Sequence, residues 1–171
     1  MPTSRIAVAI ALVVLALVVQ VTLLTRLALP GATPDLLLLV VVALALAHGP
    51  GFGLVTGFAA GLASDLAPPA DHTIGRWAFV LTLIGYGAGL AKGETRRSAF
   101  VPLLVVAVAA AASVLLYAGL GSLISDPHVS WPRVYQLLPT AVIYDVVLGP
   151  FVVSAVLLLV RRFEPDPAYR R

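Results

Sequence analysis

The sequence predicts an all-α polytopic membrane protein that folds as a compact six-helix transmembrane bundle. Of its 171 residues, 60% are hydrophobic and 11% are charged, whereas charged residues make up about 25% of a typical soluble domain. The mean hydropathy is +1.03, so a water-soluble monomer would lack the polar surface it needs. The apolar residues fall into runs at 6–25, 36–47, 52–66, 74–91, 101–124 and 136–160. We therefore expect one bundle domain over residues 1–163, followed by a basic cytoplasmic tail at 164–171.

The first run, residues 6–25, is long enough for one crossing of the membrane. As a helix it would reach about 30 Å, the thickness of one hydrocarbon core. A cleaved signal peptide is the alternative, because small residues follow near Ala28 and Ala32. The apolar stretch exceeds the roughly 7–15 residues usual for such signals, which favours a retained span.

The second and third runs are each short for a full crossing, at about 18 Å and about 22 Å as helices. Fused into one helix they would reach about 46 Å, longer than the bilayer core. Gly49, Pro50 and Gly51 would then lie at the centre of that helix. Proline lacks a backbone N–H and clashes with the preceding turn, so we predict a break between His48 and Gly51.

The later runs contain charged residues whose positions lead to two predictions. Arg76 and Trp77 lie near the start of the fourth run, where we expect them to anchor that helix at the membrane interface. The sixth run contains the acidic residue Asp145 and is predicted to kink at Gly149 and Pro150.

The distribution of Lys and Arg predicts six spans with both termini in the cytoplasm. Of the 11 basic residues, that topology places eight inside and three (Arg26, Arg76 and Arg133) outside. The inner eight are Arg5, Lys92, Arg96, Arg97, Arg161, Arg162, Arg170 and Arg171. Five spans with the N-terminus outside give the same ratio by exchanging Arg5 for Arg26, so helix length and Pro50 decide for six.

Glycines recur every four residues in two places and predict close helix packing. The spacing puts them on one helix face, which then offers bare backbone to a neighbouring helix. One interpretation is packing inside the chain, and the other is an interface for a partner's transmembrane helix or a second copy. The two sets are Gly49, Gly53, Gly57 and Gly61, and Gly85, Gly89 and Gly93.

Asp145 is the acidic residue deepest in a predicted span, and it is expected to face the bundle interior. It could belong to a polar pocket, for which the nearest polar candidates are Tyr144, Tyr86 and Gln20. It could instead make a structural hydrogen bond. The partners considered for that bond are Tyr86, Tyr117, Ser113 and Thr82.

Two other aspartates mark helix ends. Asp35 follows Pro34 and precedes an apolar run, where a carboxylate is favourable at the positive end of the helix dipole. Asp65 lies at the C-terminal end of its run, where the helix dipole does not stabilise a carboxylate. We therefore predict that Asp65 contacts Arg76 or a partner protein.

No catalytic, metal or cofactor site is predicted. Cysteine is absent from the sequence, which excludes disulfides, thiolate ligands and thiol nucleophiles. The paired carboxylates of an aspartyl intramembrane protease and the Gly-x-Ser-x-Gly of a serine protease are also missing. The basic residues form no aromatic-basic surface, so nucleic-acid binding is not expected.

Several of these residues together resemble the bacterial rod shape-determining protein MreD family. They are Gln20-x-Thr22, Pro34-Asp35, Gly57-Phe58-x-x-Gly61-Leu62-x-x-Asp65, Gly75 and Gly85-Tyr86. The resemblance implies a non-enzymatic subunit of the elongation machinery that partners the single-span protein MreC. It implies that this subunit acts indirectly with MreB, RodA and a class B penicillin-binding protein in lateral peptidoglycan synthesis. It also implies a fold similar to the substrate-binding subunits of energy-coupling-factor transporters.

Basic residues at the predicted inner surface suit anionic lipid headgroups, at about 1 kcal/mol for each Lys or Arg near the surface. They could instead contact a cytoplasmic partner such as the MreB filament. These residues are Arg96, Arg97, Arg161, Arg162, Arg170 and Arg171.

Two functions follow from the sequence. The first is a scaffold in the bacterial cytoplasmic membrane that binds MreC through intramembrane helix faces and pairs with a second copy. The alternative is a transporter subunit that binds a small molecule or lipid in a midplane pocket near Asp145. Such a pocket should gather several polar groups at one depth, whereas Asp145 is almost alone.

Overall fold

The computed structural model describes residues 3–27, 30–67, 74–96, 98, 100–127 and 129–163. The expected tail at 164–171 lies outside these residues. Within them the chain forms six α-helices joined by turns, and no strand occurs, which confirms the all-α bundle. The helices are α1 (Thr3–Thr22), α2 (Leu36–His48), α3 (Pro50–Leu66), α4 (Arg76–Leu90), α5 (Phe100–Leu123) and α6 (Trp131–Phe163). Short 3-10 helices follow α1 at Leu24–Leu27 and α4 at Ala91–Arg96.

Among the described residues, three helices are long and apolar enough to cross a membrane: α1, α5 and α6. The helix α2 is equally apolar but has 13 residues, so it spans about 20 Å. The longest helix, α6, has 33 residues and begins five positions before the predicted start. It runs without interruption through Pro139 and Pro150. Gly149 lets it approach α5, because a Cβ there would lie 3.0 Å from Val106 Cγ1.

The chain breaks between α2 and α3 where Pro50 predicted it. His48 is the last residue of α2, and Gly49 follows with a φ of +101°, a conformation that favours glycine. Its N–H still donates to Ala45 O at 2.7 Å. Pro50 is the first residue of α3, where its missing N–H costs no helical hydrogen bond.

The centre of the bundle is α2. Residues 37–46 are all buried, and the helix contacts α1, α3, α4, α5 and α6. A helix that is hydrophobic on every side is stable only where other helices surround it. The uniform apolar sequence of α2 therefore identifies the innermost element, and it need not match the thickness of the bilayer.

The two glycine sets meet each other, because α3 and α4 pack antiparallel along their glycine faces. A Cβ at Gly53 would collide with the backbone of Gly85, and one at Gly57 would collide with the carbonyl of Leu81. One at Gly61 would collide with the backbone at Trp77. The faces are thus occupied inside the chain and leave no room for a partner helix.

The ends of the two glycine sets behave differently. Gly89 packs against the backbone of Pro50. Gly93 lies in the 3-10 helix after α4, where an added Cβ would meet nothing within 4 Å, so it takes no part in helix packing. A Cβ at Gly49 would meet only the side chain of Lys92, at 3.6 Å. This contact puts the α2–α3 turn and the α4–α5 connection at the same end of the bundle.

Candidate functional site

The buried start of α2 is capped by side chains from three parts of the chain. Asp35 Oδ1 accepts the N–H of Leu38 at 2.9 Å, and Gln20 Oε1 in α1 accepts the N–H of Leu37 at 2.9 Å. Asp145 Oδ1 in α6 accepts the N–H of Asp35 at 2.7 Å. The first N–H groups of a helix have no partner within it, and in a membrane no water replaces one. The three side chains supply the missing acceptors.

This arrangement gives Asp145 the structural hydrogen bond of the second interpretation, but with a partner that the sequence did not predict. Its partner is a backbone amide, so the expected bonds to Tyr86, Tyr117, Ser113 or Thr82 are wrong. Thr82 and Ser113 donate instead to carbonyls of their own helices, those of Ala78 and Ala110. The side of α4 that carries Tyr86 faces outward, since Tyr86 is 46% exposed and thus lies away from Asp145.

The segment before α2 is held by the same stretch of α6. Tyr144 donates its hydroxyl to Pro30 O at 3.2 Å, and Thr140 Oγ1 accepts the N–H of Ala32 at 3.2 Å. Gly31, with a φ of +87°, lies directly against Thr140. Tyr144 therefore ties down a loop, and it lines neither of the two cavities described below.

The capping site lies about halfway along α6. Asp145 comes 14 positions after Trp131, the first residue of α6, which is about 21 Å along a helix. Asp35, bonded to it, therefore starts α2 near the middle of α6 and not at its end. Pro34 and Asp35 are helix-end residues as expected, but this helix end lies beside the middle of α6.

A second polar cluster forms where α4 begins. The carboxylate of Asp65, at the end of α3, is fully buried. Its Oδ2 accepts the N–H groups of Gly75 at 2.8 Å and Ala78 at 3.1 Å, and its Oδ1 accepts that of Trp77 at 3.2 Å. Asp65 gains nothing from the dipole of its own helix but caps the next one, where a negative charge is stabilising.

Arg76 is buried beside this cap and is not the interfacial anchor that its position in the sequence suggested. Only 6% of its surface is exposed. Its Nε and Nη2 donate to Tyr117 O at 2.8 and 2.5 Å, and its Nη1 pairs with Asp126 Oδ2 at 2.7 Å. The guanidinium carbon lies 3.6 Å from the centre of the Tyr117 ring. Gly121 makes room, because a Cβ there would collide with Arg76 Nη2.

Sequence reasoning missed Asp126 as the partner of Arg76. One signal was available, since the six-span topology puts both residues at the same end of the bundle. A buried guanidinium in a membrane protein needs an acidic partner, and Asp126 follows the fifth helix directly. Gly121 was a second signal, because a glycine in a helix leaves room for a large neighbouring side chain.

Two cavities lined by described residues open on the surface of the bundle. One, of about 580 Å³, lies beside Arg76, among α4, α5, α6 and the turn before α6. The other, of about 320 Å³, is an apolar groove between α4 and α5. Neither is lined by Asp145. In the described part of the chain, no cluster of three or more His, Asp or Glu side chains could hold a metal ion.

Comparison with known families identifies the chain. The family model described as rod shape-determining protein MreD matches residues 3–163. The chain belongs to the MreD family. No curated protein and no solved structure matches it. As a member of the MreD family, the protein is a membrane protein with a role in determining rod shape.

Six of the residues that carry the resemblance to the MreD family cap or pack the helices of the bundle. Gln20 and Asp35 cap α2, Asp65 caps α4, and Gly57, Gly61 and Gly85 lie in the α3–α4 contact. The carboxylate of Asp35 caps its own helix, and each of the other five acts between two helices that are neighbours in space. The motif residues of this MreD-family chain thus specify which helices adjoin.

The basic residues predicted for the membrane surface are placed only in part. Arg161 and Arg162 are exposed in the last turn of α6. Arg96 ends the 3-10 helix after α4. Arg97, Arg170 and Arg171 lie outside the described residues.

Proposed function

We propose that this MreD-family protein is a non-enzymatic scaffold subunit of the cell-elongation machinery in the bacterial cytoplasmic membrane. In this role it binds the transmembrane helix of an MreC-like single-span protein. Through that partner it acts with MreB, RodA and a class B penicillin-binding protein. The family match over residues 3–163 carries the proposal. The use of its motif residues for capping and packing supports it, because a scaffold needs a fixed shape and no reactive groups.

We further propose six membrane crossings with both termini in the cytoplasm. The alternating helices support this topology, since the α2–α3 turn and the α4–α5 connection share one end of the bundle. The same alternation puts the last turn of α6, with Arg161 and Arg162, at that end. Basic residues favour the cytoplasmic side, and there they would meet anionic lipids.

The face that binds the partner must differ from the α3–α4 glycine face, which is used within the chain. We propose the groove between α4 and α5. Gly87 and Ala112 line it, and Leu83 and Val108 expose apolar side chains there. A Cβ at Gly87 would meet nothing within 4 Å, so its backbone is open to an incoming helix. Helices in lipid associate through such close backbone packing, because the surrounding lipid is as apolar as their side chains and the hydrophobic effect does not favour association.

Co-purification with MreC of the same organism from detergent-solubilised membranes tests this function. The wild-type protein should bring down MreC, and Gly87→Leu should lose it while eluting as a folded protein. Gly51→Leu is the matched control, because a Cβ at Gly51 would also meet no described residue within 4 Å and Gly51 lies in α3, outside the groove. It should retain MreC.

Three outcomes would count against the proposal, each in a different way. If the wild-type protein retains no MreC, the scaffold function is wrong. Capture of an ATPase module in its place would favour a transporter subunit. If Gly87→Leu retains MreC as well as Gly51→Leu does, the partner uses another face. Pairing with a second copy remains a prediction, which the mass of the purified complex tests.

A further inference from the structure

The cavity of about 580 Å³ beside Arg76 combines apolar, aromatic and polar surface. One wall is apolar, from Val114 and Ala118 of α5 and Val134 and Leu137 of α6. The aromatic rings of Trp77 and Tyr117 form another part, with centroids 4.7 Å apart. The volume lies within the roughly 300–1,000 Å³ range of ligand sites.

The polar part of the cavity carries an excess positive charge. Arg76, Arg133 and Asp126 line it, together with the hydroxyl of Ser130. The carboxylate of Asp126 is paired with Arg76, and no described residue forms an ion pair with Arg133. Described residues accept from three of the five N–H groups of Arg76, which leaves two as donors. The site would therefore suit a ligand group with one negative charge, whose oxygen atoms could accept hydrogen bonds from the arginines.

The aromatic residues beside the cavity suit the level of lipid headgroups. Trp131 and Tyr135, on either side of Arg133 in the first turns of α6, are 40% and 64% exposed. Exposed Trp and Tyr at the end of an apolar helix are typical of the membrane–water interface. The apolar wall at Val134 and Leu137 continues along α6 from that level toward the membrane interior.

We propose that this cavity binds one anionic phospholipid, with its phosphate at Arg133 and Arg76 and the start of an acyl chain along Val114 and Leu137. Arg133, which forms no ion pair with a described residue, provides a positive charge, and Arg76, held by Asp126 and Tyr117, provides further donors. The site is separate from the α4–α5 groove, so it does not depend on the proposed binding of MreC.

Native mass spectrometry of the detergent-purified protein, titrated with phosphatidylglycerol, tests the proposal. The wild-type protein should bind one phosphatidylglycerol with an affinity at least tenfold above that for phosphatidylcholine. Arg133→Gln should weaken binding of phosphatidylglycerol about tenfold, the scale of losing one hydrogen bond to a charged group. Arg133→Lys should keep most of it. Arg26→Gln is the control, because it removes an exposed charge outside the cavity.

Further measurements test the contributions of the acyl chain and the headgroup separately. Soluble glycerol phosphate should not displace the lipid at equal concentration, since it lacks the acyl chain. Val114→Phe, which fills the apolar wall, should weaken binding without changing the preference for the anionic headgroup. Equal binding of the two phospholipids, an Arg133→Gln variant that binds like Arg26→Gln, or displacement by glycerol phosphate would each overturn the proposal.

Discussion

The carboxylate of Asp145 and the backbone amide of Asp35 lie 2.7 Å apart, although 110 positions separate them in the chain. This bond joins the middle of α6 to the buried start of α2. It needs an acceptor oxygen at position 145, and a neutral amide oxygen can meet that need.

Replacement of Asp145 should therefore distinguish the acceptor from the charge. Asp145→Leu leaves a buried N–H unsatisfied and should lower the free energy of unfolding by about 1–3 kcal/mol. Asp145→Asn keeps an oxygen acceptor and should cost about 1 kcal/mol or less. Thermal unfolding of fluorescent fusions in detergent, followed by size-exclusion chromatography, measures both.

Tyr144→Phe is the control for Asp145. It removes the neighbouring hydroxyl, whose bond to Pro30 O is exposed, and should change stability by less than about 0.5 kcal/mol. If Asp145→Asn is as unstable as Asp145→Leu, the negative charge itself is required. The capping account of Asp145 would then be incomplete.

Replacement by asparagine should destabilise the protein more at Asp65 than at Asp145. Its two oxygens together accept three backbone N–H groups, and an amide has only one acceptor oxygen. Asp65→Asn should therefore leave at least one buried N–H unsatisfied and cost about 1–3 kcal/mol. The same unfolding assay compares it with Asp145→Asn, and equal stability of the two variants would contradict this difference.

The features that the sequence predicted depend on local chemistry. Proline cannot donate a backbone hydrogen bond, so Pro50, together with the excessive length of a fused helix, predicted the break between α2 and α3. Regular glycine spacing predicted a helix face for close packing, but it did not show which helix would cover that face. The number of helices followed from the lengths of the apolar runs.

The features that it did not predict depend on which helices adjoin. The sequence marks Asp65, Arg76 and Asp145 as unusual but does not contain their partners in any local pattern. Asp65 bonds to N–H groups 10 to 13 positions away, and Arg76 bonds to Asp126 at a separation of 50. Those partners become evident only when the helices are assembled, and the role of a buried polar residue follows from them.

The α3–α4 contact predicts opposite effects for two glycines of the bundle. Gly57→Ala puts a methyl group against the carbonyl of Leu81 and should destabilise the protein by about 1–3 kcal/mol through overpacking. Gly87→Ala meets nothing within 4 Å and should stabilise it by about 0.5–1 kcal/mol, because glycine costs entropy within a helix. Unfolding midpoints of the two variants test this, and a Gly57→Ala protein of wild-type stability would disprove the close contact.

The ion pair between Arg76 and Asp126 predicts strong coupling in a double-mutant cycle. The two side chains are only 4% and 17% exposed, so removal of either partner leaves a poorly solvated charge. Arg76→Gln and Asp126→Asn should each cost about 3 kcal/mol, at the lower end for buried pairs. The double variant should cost less than their sum by about 0.5–3 kcal/mol, because the interaction between the two side chains can be lost only once.

Arg133→Gln is the matched control for this cycle, because Arg133 lines the same cavity but forms no ion pair with a described residue. It should change the stability of the lipid-free protein by less than about 0.5 kcal/mol. Additive losses in the Arg76 and Asp126 variants would mean that the pair contributes nothing beyond its separate contacts. The cation over the ring of Tyr117 and the bonds to its carbonyl would then be what holds Arg76 in the bundle.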